Sequence, residues 1–382
     1  MGDGRADNNN LLAHAQSAAR RFVRFDMARV AEENGSVISA VLFGALAGTG
    51  VLPFSRAQFE QTIERGGVGV KASLKAFGAG FALANAPAAA DVAPAAAPKP
   101  AGTPRDPQVR ALLARIEKDF PLSVQPVLVE GARKLVDYQD PAYASLYLDR
   151  LARVQQLPGG DPQLLLETAR HLALWMSYED TVRVAELKTR AGRFARVQSE
   201  VRVQEGQLLA INEFMHPRLQ EICDTLPAGL GRWLANSGWP RRVVEHFTRE
   251  GRVVTTSSLG GFLMLYTLAG MKRWRRASLR FQAENARIED WLARIASAAA
   301  INPQLATEVA QCQRLVKGYG DTHERGLRNY ETLMDAVKRA GTRLAPATLR
   351  ELRDAALADE AGKQLHAALR KLSLETPLQQ AA

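Results

Sequence analysis

The stretch NGSVISAVLFGALAGTGVLPFSRAQFEQTIERGGVGVK, residues 34–71, predicts a buried helix and an amphipathic helix separated by a sharp stop. Apolar residues recur at helical spacing in its first half; they are Val37, Val41, Leu42, Ala45 and Leu46. Gly44 and Gly48 lie among them and allow a neighbouring helix to approach closely. We therefore expect the first half to form a Gly/Ala-rich helix inside the protein.

The run from Gly35 to Phe54 carries no charge, so a membrane span is the alternative interpretation. A spanning helix needs about 20 apolar residues without interruption. Gly48, Gly50 and Pro53 interrupt this run, and they predict that the helix ends after about three or four turns. A buried helix of a water-soluble protein is therefore favoured over a membrane span.

The second half of the stretch predicts a capped helix followed by a glycine-rich loop. Ser55 and Gln58 have the spacing of a capping box. The loop is a candidate anion site, because the backbone amides of such a loop can cradle a phosphate. Its predicted binding residues are Gly66, Gly67, Gly69 and Lys71. No strand pattern precedes the loop, and a plain turn is the alternative interpretation.

Composition predicts an ordinary globular protein. The 382 residues are 46% hydrophobic and 24% charged, which suits two or three domains and is too polar for a multi-span membrane protein. The two cysteines, Cys223 and Cys312, exclude an iron–sulfur cluster held by this chain alone, since a cluster takes about four thiolates. We expect both to be reduced and buried in a cytoplasmic protein. The polar N-terminus lacks the apolar segment of a signal peptide.

An Ala/Pro-rich segment divides the chain. Residues 82–107 consist almost wholly of Ala and Pro, a composition typical of a semi-extended linker. Residues 1–81 are too few for a complete doubly wound α/β domain, and Phe22–Asp26 is their best strand candidate. Residues 108–382 carry helical patterns almost throughout. The predicted fold class is mainly α, with an incomplete α/β domain before the linker and a large all-helical domain after it.

Proline, glycine and capping residues set the predicted helix bounds after the linker. One predicted helix opens at Asp106-Pro107, and others cover residues 127–138, 143–154, 162–177, 179–190, 194–213, 243–250, 259–298, 303–316, 322–340 and 346–372. No repeat period is visible, which argues against a solenoid.

The net charge of +10 indicates a negatively charged partner. Basic residues are densest at Trp239–Arg242 and at Met271–Arg280, where five of them surround Trp274. An aromatic ring among arginines can stack on bases and hold phosphate, which makes nucleic acid one candidate, although no RNA- or DNA-binding module is recognisable. The favoured alternative is a basic surface that faces an acidic partner or simply solvent. Acidic electron carriers are the obvious class of partner, since complementary charge accelerates association.

The most site-like segment after the linker runs from Lys317 to Gly326. Its candidate binding residues are Lys317, Gly318, Gly320, Asp321, His323 and Arg325. Asp321 and Glu324 have the spacing of a capping box, and amides at such a helix start suit an anion or phosphate. His323 suits acid–base chemistry. Two other interpretations are a plain helix–helix connection and a metal site at Asp321 and His323, for which no third ligand is evident.

His216 and Cys223 form another candidate pair, since a histidine can activate a thiolate. If one helix carried both residues, about 10 Å would separate them along its axis. That distance is too long for a hydrogen bond. A buried cysteine and a histidine that caps the helix is therefore the favoured interpretation.

Several stretches, in order along the chain, resemble the beta subunit of indolepyruvate oxidoreductase, one of the 2-oxoacid:ferredoxin oxidoreductases. They are residues 1–8, 35–71, 176–190, 213–234 and 317–325. The resemblance implies a cytoplasmic complex that oxidatively decarboxylates an aryl 2-oxoacid such as indolepyruvate, forms an acyl-CoA from coenzyme A, and passes electrons to ferredoxin. It also implies that a large thiamine-dependent partner subunit holds thiamine diphosphate and the iron–sulfur clusters. No catalytic residue transfers to this sequence, so the isolated chain is expected to be inactive.

In that family the gamma-type domain begins with a glycine-rich strand–turn–helix, and this sequence starts at Met1 without it. We therefore expect the chain to be a fragment, or the product of a gene model started at an internal methionine, with residues 1–81 as the closing part of the domain. Two functions stay open. The chain is either a non-catalytic subunit of a 2-oxoacid oxidoreductase or a stand-alone basic helical protein that binds other proteins or nucleic acid.

Overall fold

A computed structural model describes residues 8–67, 69–86, 104–159, 161–201, 209–215, 218–248, 251–318, 320–359 and 361–374. The chain divides into two compact units, residues 2–102 and residues 103–382. The division falls within the segment 82–107. The described residues do not include residues 1–7, most of the 82–107 segment, or His216. The predictions that depend on these residues therefore lie outside the described part of the chain.

The described part of the first unit is helical. Its helices are α1 (Asn8–Ala18), α2 (Met27–Glu33), α3 (Ile38–Thr49), α4 (Arg56–Arg65) and α5 (Val70–Asn85). The predicted strand at Phe22–Asp26 is wrong, because these residues lead into α2 instead of pairing with another strand. The Asp26 carboxylate caps that helix and accepts a hydrogen bond from the backbone N–H of Arg29 at 2.9 Å.

Close packing of α3 against α5 depends on residues without a bulky side chain. A Cβ atom added at Gly44 would overlap the backbone carbonyl of Phe77, and one added at Gly80 would overlap that of Val41. The predicted role of Gly44 in close helix packing is thus confirmed. Glycine is required at these positions because the two backbones meet there.

The face of α3 that packs against α5 is its small-residue face. Val41 and Ala45 are buried, whereas Val37, Leu42 and Leu46 are exposed. The prediction of a buried helix is therefore wrong for Leu42 and Leu46, which lie away from the packed face, and Val37 precedes the helix. The predicted stop is confirmed, since α3 ends at Thr49 and the next residue, a glycine, adopts a left-handed φ of 68°.

The helix that follows the stop starts as predicted. Gln58 Oε1 accepts a hydrogen bond from the backbone N–H of Ser55 at 2.8 Å, which completes a capping box at the start of α4. Within the described residues, no single helix has the length and apolar character to cross a membrane. The pair α2 and α3, bent by 113°, meets those two criteria together.

The second unit contains fifteen α-helices, three short 3₁₀ helices and one two-stranded sheet among its described residues. The helices before the sheet are α6 (Pro107–Asp119), α7 (Gln125–Tyr138), α8 (Pro141–Gln155), α9 (Pro162–Met176), α10 (Thr181–Thr189) and α11 (Ala191–Val201). The next elements are β1 (Asn212–Met215), α12 (Leu219–Thr225), α13 (Ala228–Asn236), α14 (Trp239–Thr248), β2 (Arg252–Thr255), α15 (Leu259–Gly270), the 3₁₀ helix Met271–Ala277 and α16 (Leu279–Ala299). The last elements are α17 (Pro303–Gln311), the 3₁₀ helix Cys312–Leu315, α18 (Gly320–Ala340), the 3₁₀ helix Gly341–Arg343, α19 (Pro346–Ala358) and α20 (Lys363–Lys371).

Four helix starts in this unit combine a polar cap with a proline in the first turn. Asp106, Asp140, Asp161 and Asn302 each accept a hydrogen bond from a backbone N–H two or three residues later. Proline fits the next position, since its missing N–H has no partner in the first turn of a helix. These local signals explain why the sequence predicts the start of α6 and α9 correctly.

Four of the predicted helices are wrong where they run through other structure. The predicted helix over 346–372 is two helices, α19 and α20, and the one over 303–316 ends as an α-helix at Gln311 and continues as a 3₁₀ helix. The predicted helix over 194–213 ends at Val201 in α11, and β1 begins eleven residues later. β1 pairs antiparallel with β2, with Phe214 opposite Val253. The predicted helix over 259–298 is interrupted by a 3₁₀ helix and restarts where Ser278 caps α16. The described residues are mainly α, and the second unit is not purely helical.

One hydrophobic core holds the second unit together, and it draws on two parts of the chain. Its buried residues come from 112–176 and from 288–369, with Trp291, Tyr143 and Tyr147 among the largest. Residues 181–278 contribute no described side chain to this cluster. We call them the 181–278 segment, which comprises α10 to α15 and the two strands.

Candidate functional site

The predicted anion loop connects α4 to α5. Gly67 and Gly69 adopt left-handed φ values of 71° and 59°, conformations that favour glycine. Gly66 ends α4, Gly69 precedes α5, and Lys71 lies exposed in the first turn of α5. All four predicted residues are thus close together at the start of one helix. The loop is an open turn, since a Cβ atom added at Gly67 would meet nothing within 4 Å.

The predicted site over 317–325 is separated by the structure into three different environments. Lys317 lines a small surface cleft together with Leu315, Thr322 and Asn329. Gly318 and Gly320 adopt left-handed φ values, and α18 begins at Gly320. Arg325 donates to the Thr322 hydroxyl at 3.3 Å. Asp321 and His323 do not line this cleft, so the cleft does not bring the six predicted residues together.

Asp321 is an ion-pair partner of a distant residue. The Arg218 guanidinium donates to both carboxylate oxygens of Asp321 at 2.7 and 3.3 Å, and the interaction lowers the pKa of Asp321. The predicted capping box with Glu324 is wrong, because α18 starts at Gly320 and Asp321 lies inside its first turn. The described residues contain no cluster of three or more His, Cys, Asp or Glu side chains suited to a metal.

His323 belongs to a buried polar network centred on Glu284. The Glu284 carboxylate accepts hydrogen bonds from Trp175 Nε1 at 2.8 Å and from Arg287 at 3.0 Å. Arg280 pairs with the same carboxylate at 2.8 Å and donates to His323 Nε2 at 3.1 Å. The network joins α9, α16 and α18. Asp224 of α12 lies 3.6 Å from Arg280 and extends the network to the 181–278 segment.

Burial and neighbouring charge shift the pKa values of His323 and Asp224 in this network. Burial lowers the pKa of His323, and the adjacent Arg280 lowers it further. A guanidinium only donates, so His323 Nε2 must accept and the proton resides on Nδ1 in the neutral ring. Burial raises the pKa of Asp224. The contacts of this network connect α9, α12, α16 and α18.

Of the predicted pair of His216 and Cys223, only Cys223 lies within the described residues. Cys223 and Cys312 are free thiols, and both are fully buried as predicted. Burial raises the pKa of the Cys223 thiol and raises that of Cys312 to about 12. Neither described thiol has the low pKa that a nucleophilic cysteine requires.

The predicted basic cluster at 271–280 is largely paired within the protein. Arg275 binds the Asp180 carboxylate, Arg280 binds Glu284, and Lys272 lies 3.6 Å from Glu186. Three of the five basic side chains are therefore already neutralised by carboxylates. Arg273, Trp274 and Arg276 are the exposed members of the cluster.

Exposed apolar side chains in the described part of the second unit are concentrated in the 181–278 segment. Of the seventeen large apolar side chains that are exposed among the described residues of the second unit, fourteen belong to this segment. Its sequence also contains sixteen Lys and Arg against eight Asp and Glu, so it accounts for +8 of the net charge of +10. Exposed apolar groups concentrated on one part of a protein mark an interaction site. We therefore take this surface as the candidate functional site.

The sequence predictions located the basic clusters at 239–242 and 271–280, but not the apolar surface between them. One signal was present. Three of the five tryptophans in the chain, Trp233, Trp239 and Trp274, fall within 42 residues of one another, and all three are exposed. Tryptophans at this density normally indicate a core, which is why sequence alone did not reveal their exposure.

A family sequence profile, described as a family of unknown function (DUF6537), matches residues 124–336. This match covers more than half of the chain. The chain belongs to the DUF6537 family. The DUF6537 region includes the Glu284 network and the whole 181–278 segment, and it excludes α1 to α6, α19 and α20. Searches of curated proteins and of solved structures returned no match.

Proposed function

We propose that this DUF6537 protein is a non-catalytic subunit of a cytoplasmic 2-oxoacid oxidoreductase complex. In this proposal the complex decarboxylates an aryl 2-oxoacid, forms an acyl-CoA and passes electrons to ferredoxin or another acidic carrier. A large thiamine-dependent subunit would hold thiamine diphosphate and the iron–sulfur clusters. The role of the present chain is to bind that subunit.

The observation that carries the proposal is the exposed apolar and basic surface of the 181–278 segment. Protein interfaces are enriched in aromatic residues, Met and Arg, and this segment exposes Trp233, Trp239, Phe247, Met264 and Trp274. The sequence resemblance in residues 176–190 and 213–234 falls largely within the same segment and supplies the identity of the partner.

The test is reconstitution with the large thiamine-dependent subunit from the same organism. The two chains are expected to co-elute in size-exclusion chromatography, and the pair should reduce a viologen dye in the presence of an arylpyruvate and coenzyme A. The isolated DUF6537 protein should show no such activity. Failure to associate at micromolar concentration, with dye reduction by the large subunit unaffected by added DUF6537 protein, would refute the proposal.

A second candidate function is binding of single-stranded nucleic acid. Exposed Trp274 between Arg273 and Arg276 supports it, since an aromatic ring beside arginines suits base stacking and phosphate contact. A labelled oligonucleotide in a fluorescence anisotropy titration at 50 mM and 200 mM salt tests this candidate. Affinity that falls steeply with salt would favour it.

A further inference from the structure

One guanidinium connects three helices at the start of α16. Arg280 Nη2 lies 2.8 Å from the Glu284 carboxylate of the same helix and 3.1 Å from His323 Nε2 of α18. Arg280 Nη1 lies 3.6 Å from the Asp224 carboxylate of α12. Both α16 and α18 contribute to the core of the unit, whereas α12 belongs to the 181–278 segment. The side chain of Arg280 therefore joins the segment to the core.

The contact between α16 and α18 needs His323 in its neutral form. A guanidinium has only donors, so His323 Nε2 is the acceptor for Arg280. A proton added at Nε2 would make the imidazole a cation and remove that acceptor. Two cations would then lie side by side, and the hydrogen bond would be replaced by repulsion between like charges.

The charges around His323 come from two helices. The charged groups that act on its ring are, from α16, Arg280, Glu284 and Arg287 and, from its own helix, Glu324. Glu284 lies 3.6 Å from His323 Nε2, but this buried carboxylate already pairs with both arginines. Burial and the arginines outweigh the two carboxylates, so the pKa of His323 is lowered. The folded surroundings therefore favour the neutral ring.

Two carboxylates that connect α12 to its neighbours respond differently to acid. Burial raises the pKa of Asp224, so this carboxyl binds a proton more readily in the folded protein than it would on a released α12, and its titration opposes release. Arg218, which precedes α12, binds Asp321 of α18, whose pKa is lowered and which stays ionised down to below pH 3.8. Among these contacts, acid favours release only through His323.

We propose that Asp224, Arg280 and His323 form an acid-sensitive contact that holds α12 against α16 and α18 at neutral pH and opens more often once His323 takes up a proton. Release would return the pKa of His323 from its lowered value to its ordinary value of 6.5, so acidification below pH 6.5 favours the open form. The contact would make the attachment of the 181–278 segment depend on pH. This inference does not depend on the proposed function.

Cys223 of α12 is a reporter for the contact, because its thiol is fully buried and Asp224 is the next residue. The full-length protein is labelled with dithiodipyridine at pH 7.5 and at pH 5.5, and the modified cysteine is identified by peptide mass spectrometry. Each labelling rate is divided by the rate in guanidinium chloride at the same pH, which cancels the pH dependence of the thiol itself. The resulting ratio measures the population of the open form.

The ratio for Cys223 should be about three to ten times larger at pH 5.5 than at pH 7.5, because only the open form binds the proton with the ordinary pKa of His323. Cys312 lies in the core, and its ratio should change by less than about twofold. His323→Gln keeps an acceptor for Arg280 but does not titrate, so its Cys223 ratio should change by less than about twofold. His246→Gln is the matched control. It replaces an exposed histidine of the same segment and should respond like the wild type.

Each result decides the inference. Equal Cys223 ratios at the two pH values in the wild type would overturn it, and so would a wild-type response in His323→Gln. A joint rise for Cys223 and Cys312 would show that acid unfolds the whole unit, which would also overturn it. If His323→Gln were unfolded at pH 7.5, the pH profile of the wild type would decide. A response completed above pH 6.5, or one that begins only below about pH 4.5, where ordinary carboxylates titrate, would assign release to other groups.

Discussion

Replacing Arg275 with methionine tests how the ends of the 181–278 segment are held to the main body of the unit. Asp180 lies directly before the segment and Arg275 lies near its end. Arg275 is only 2% exposed, and it donates to both oxygens of Asp180 at 2.7 and 3.1 Å. It also donates to the Tyr138 carbonyl at 2.8 Å, and its guanidinium lies 4.2 Å from the centre of the Tyr138 ring.

The expected cost of Arg275→Met follows from the burial of this pair. Methionine keeps the apolar stem but removes every donor, so the Asp180 carboxylate, which is 12% exposed, loses its buried counter-ion. Breaking one partner of a buried ion pair costs about 3–5 kcal/mol. For a unit of this size, that change lowers the melting temperature by about 10 °C.

The assay combines thermal unfolding with hydrogen exchange. Exchange should accelerate mainly in the 181–278 segment, while α8, α9 and α17 stay protected, because those helices belong to the core of the unit. A double-mutant cycle with Asp180→Asn should give a coupling energy of about 1–3 kcal/mol. Arg273→Met is the matched control, since Arg273 is exposed and should change stability by no more than about 0.5 kcal/mol. If Arg275→Met were as stable as this control, the reasoning would be refuted.

Three further predictions follow from the described contacts. Gly44→Ala should destabilise the first unit by about 1–3 kcal/mol in thermal unfolding, because the new methyl group overlaps the Phe77 carbonyl; an unchanged transition would contradict this. The lowered pKa of His323 means that the unfolded chain binds its proton at higher pH than the folded chain, so its contribution to stability is full above pH 6.5 and declines as the pH falls below that value. Urea unfolding between pH 8 and pH 5 should show this slope, and His323→Gln should reduce it. Cys223 and Cys312 should be unreactive towards Ellman's reagent at pH 8 in the folded protein and both reactive in guanidinium chloride, whereas one rapidly reacting thiol in the folded protein would disprove their burial.

The parts of the fold that were predictable from sequence are those set by neighbouring residues. Asp161 followed by proline marks the start of α9, and the glycine after Thr49 marks the end of α3, because caps and stops act over a few residues. The fold class follows from the same local signals repeated along the chain. The main failures concern which side of a helix faces inward, as at Leu42 and Leu46, since this depends on an element elsewhere in the sequence.

The candidate sites were less predictable because distant residues determine them. Asp321 looked like a helix cap, but its carboxylate is bound by Arg218, 103 residues earlier. His323 looked available for acid–base chemistry, yet Arg280 and Glu284 enclose it. A sequence pattern shows which side chains are present in a segment, but it does not show which of them are already paired. The solvent exposure of side chains in the 181–278 segment was also not predictable, because it depends on which distant elements pack against them.

In the described part of this DUF6537 protein, the candidate acid–base groups are enclosed by other side chains, whereas the 181–278 segment exposes apolar and basic groups. A catalytic group needs both a perturbed pKa and access to a substrate. His323, Asp224 and Cys312 have shifted pKa values, but each is shielded by burial and its neighbours. The side chains accessible on the 181–278 segment are instead mostly apolar or basic, such as Trp239 and Arg242. Association through such a surface is favoured when its apolar side chains are buried away from water and its basic side chains pair with carboxylates. An acidic protein partner would satisfy both conditions.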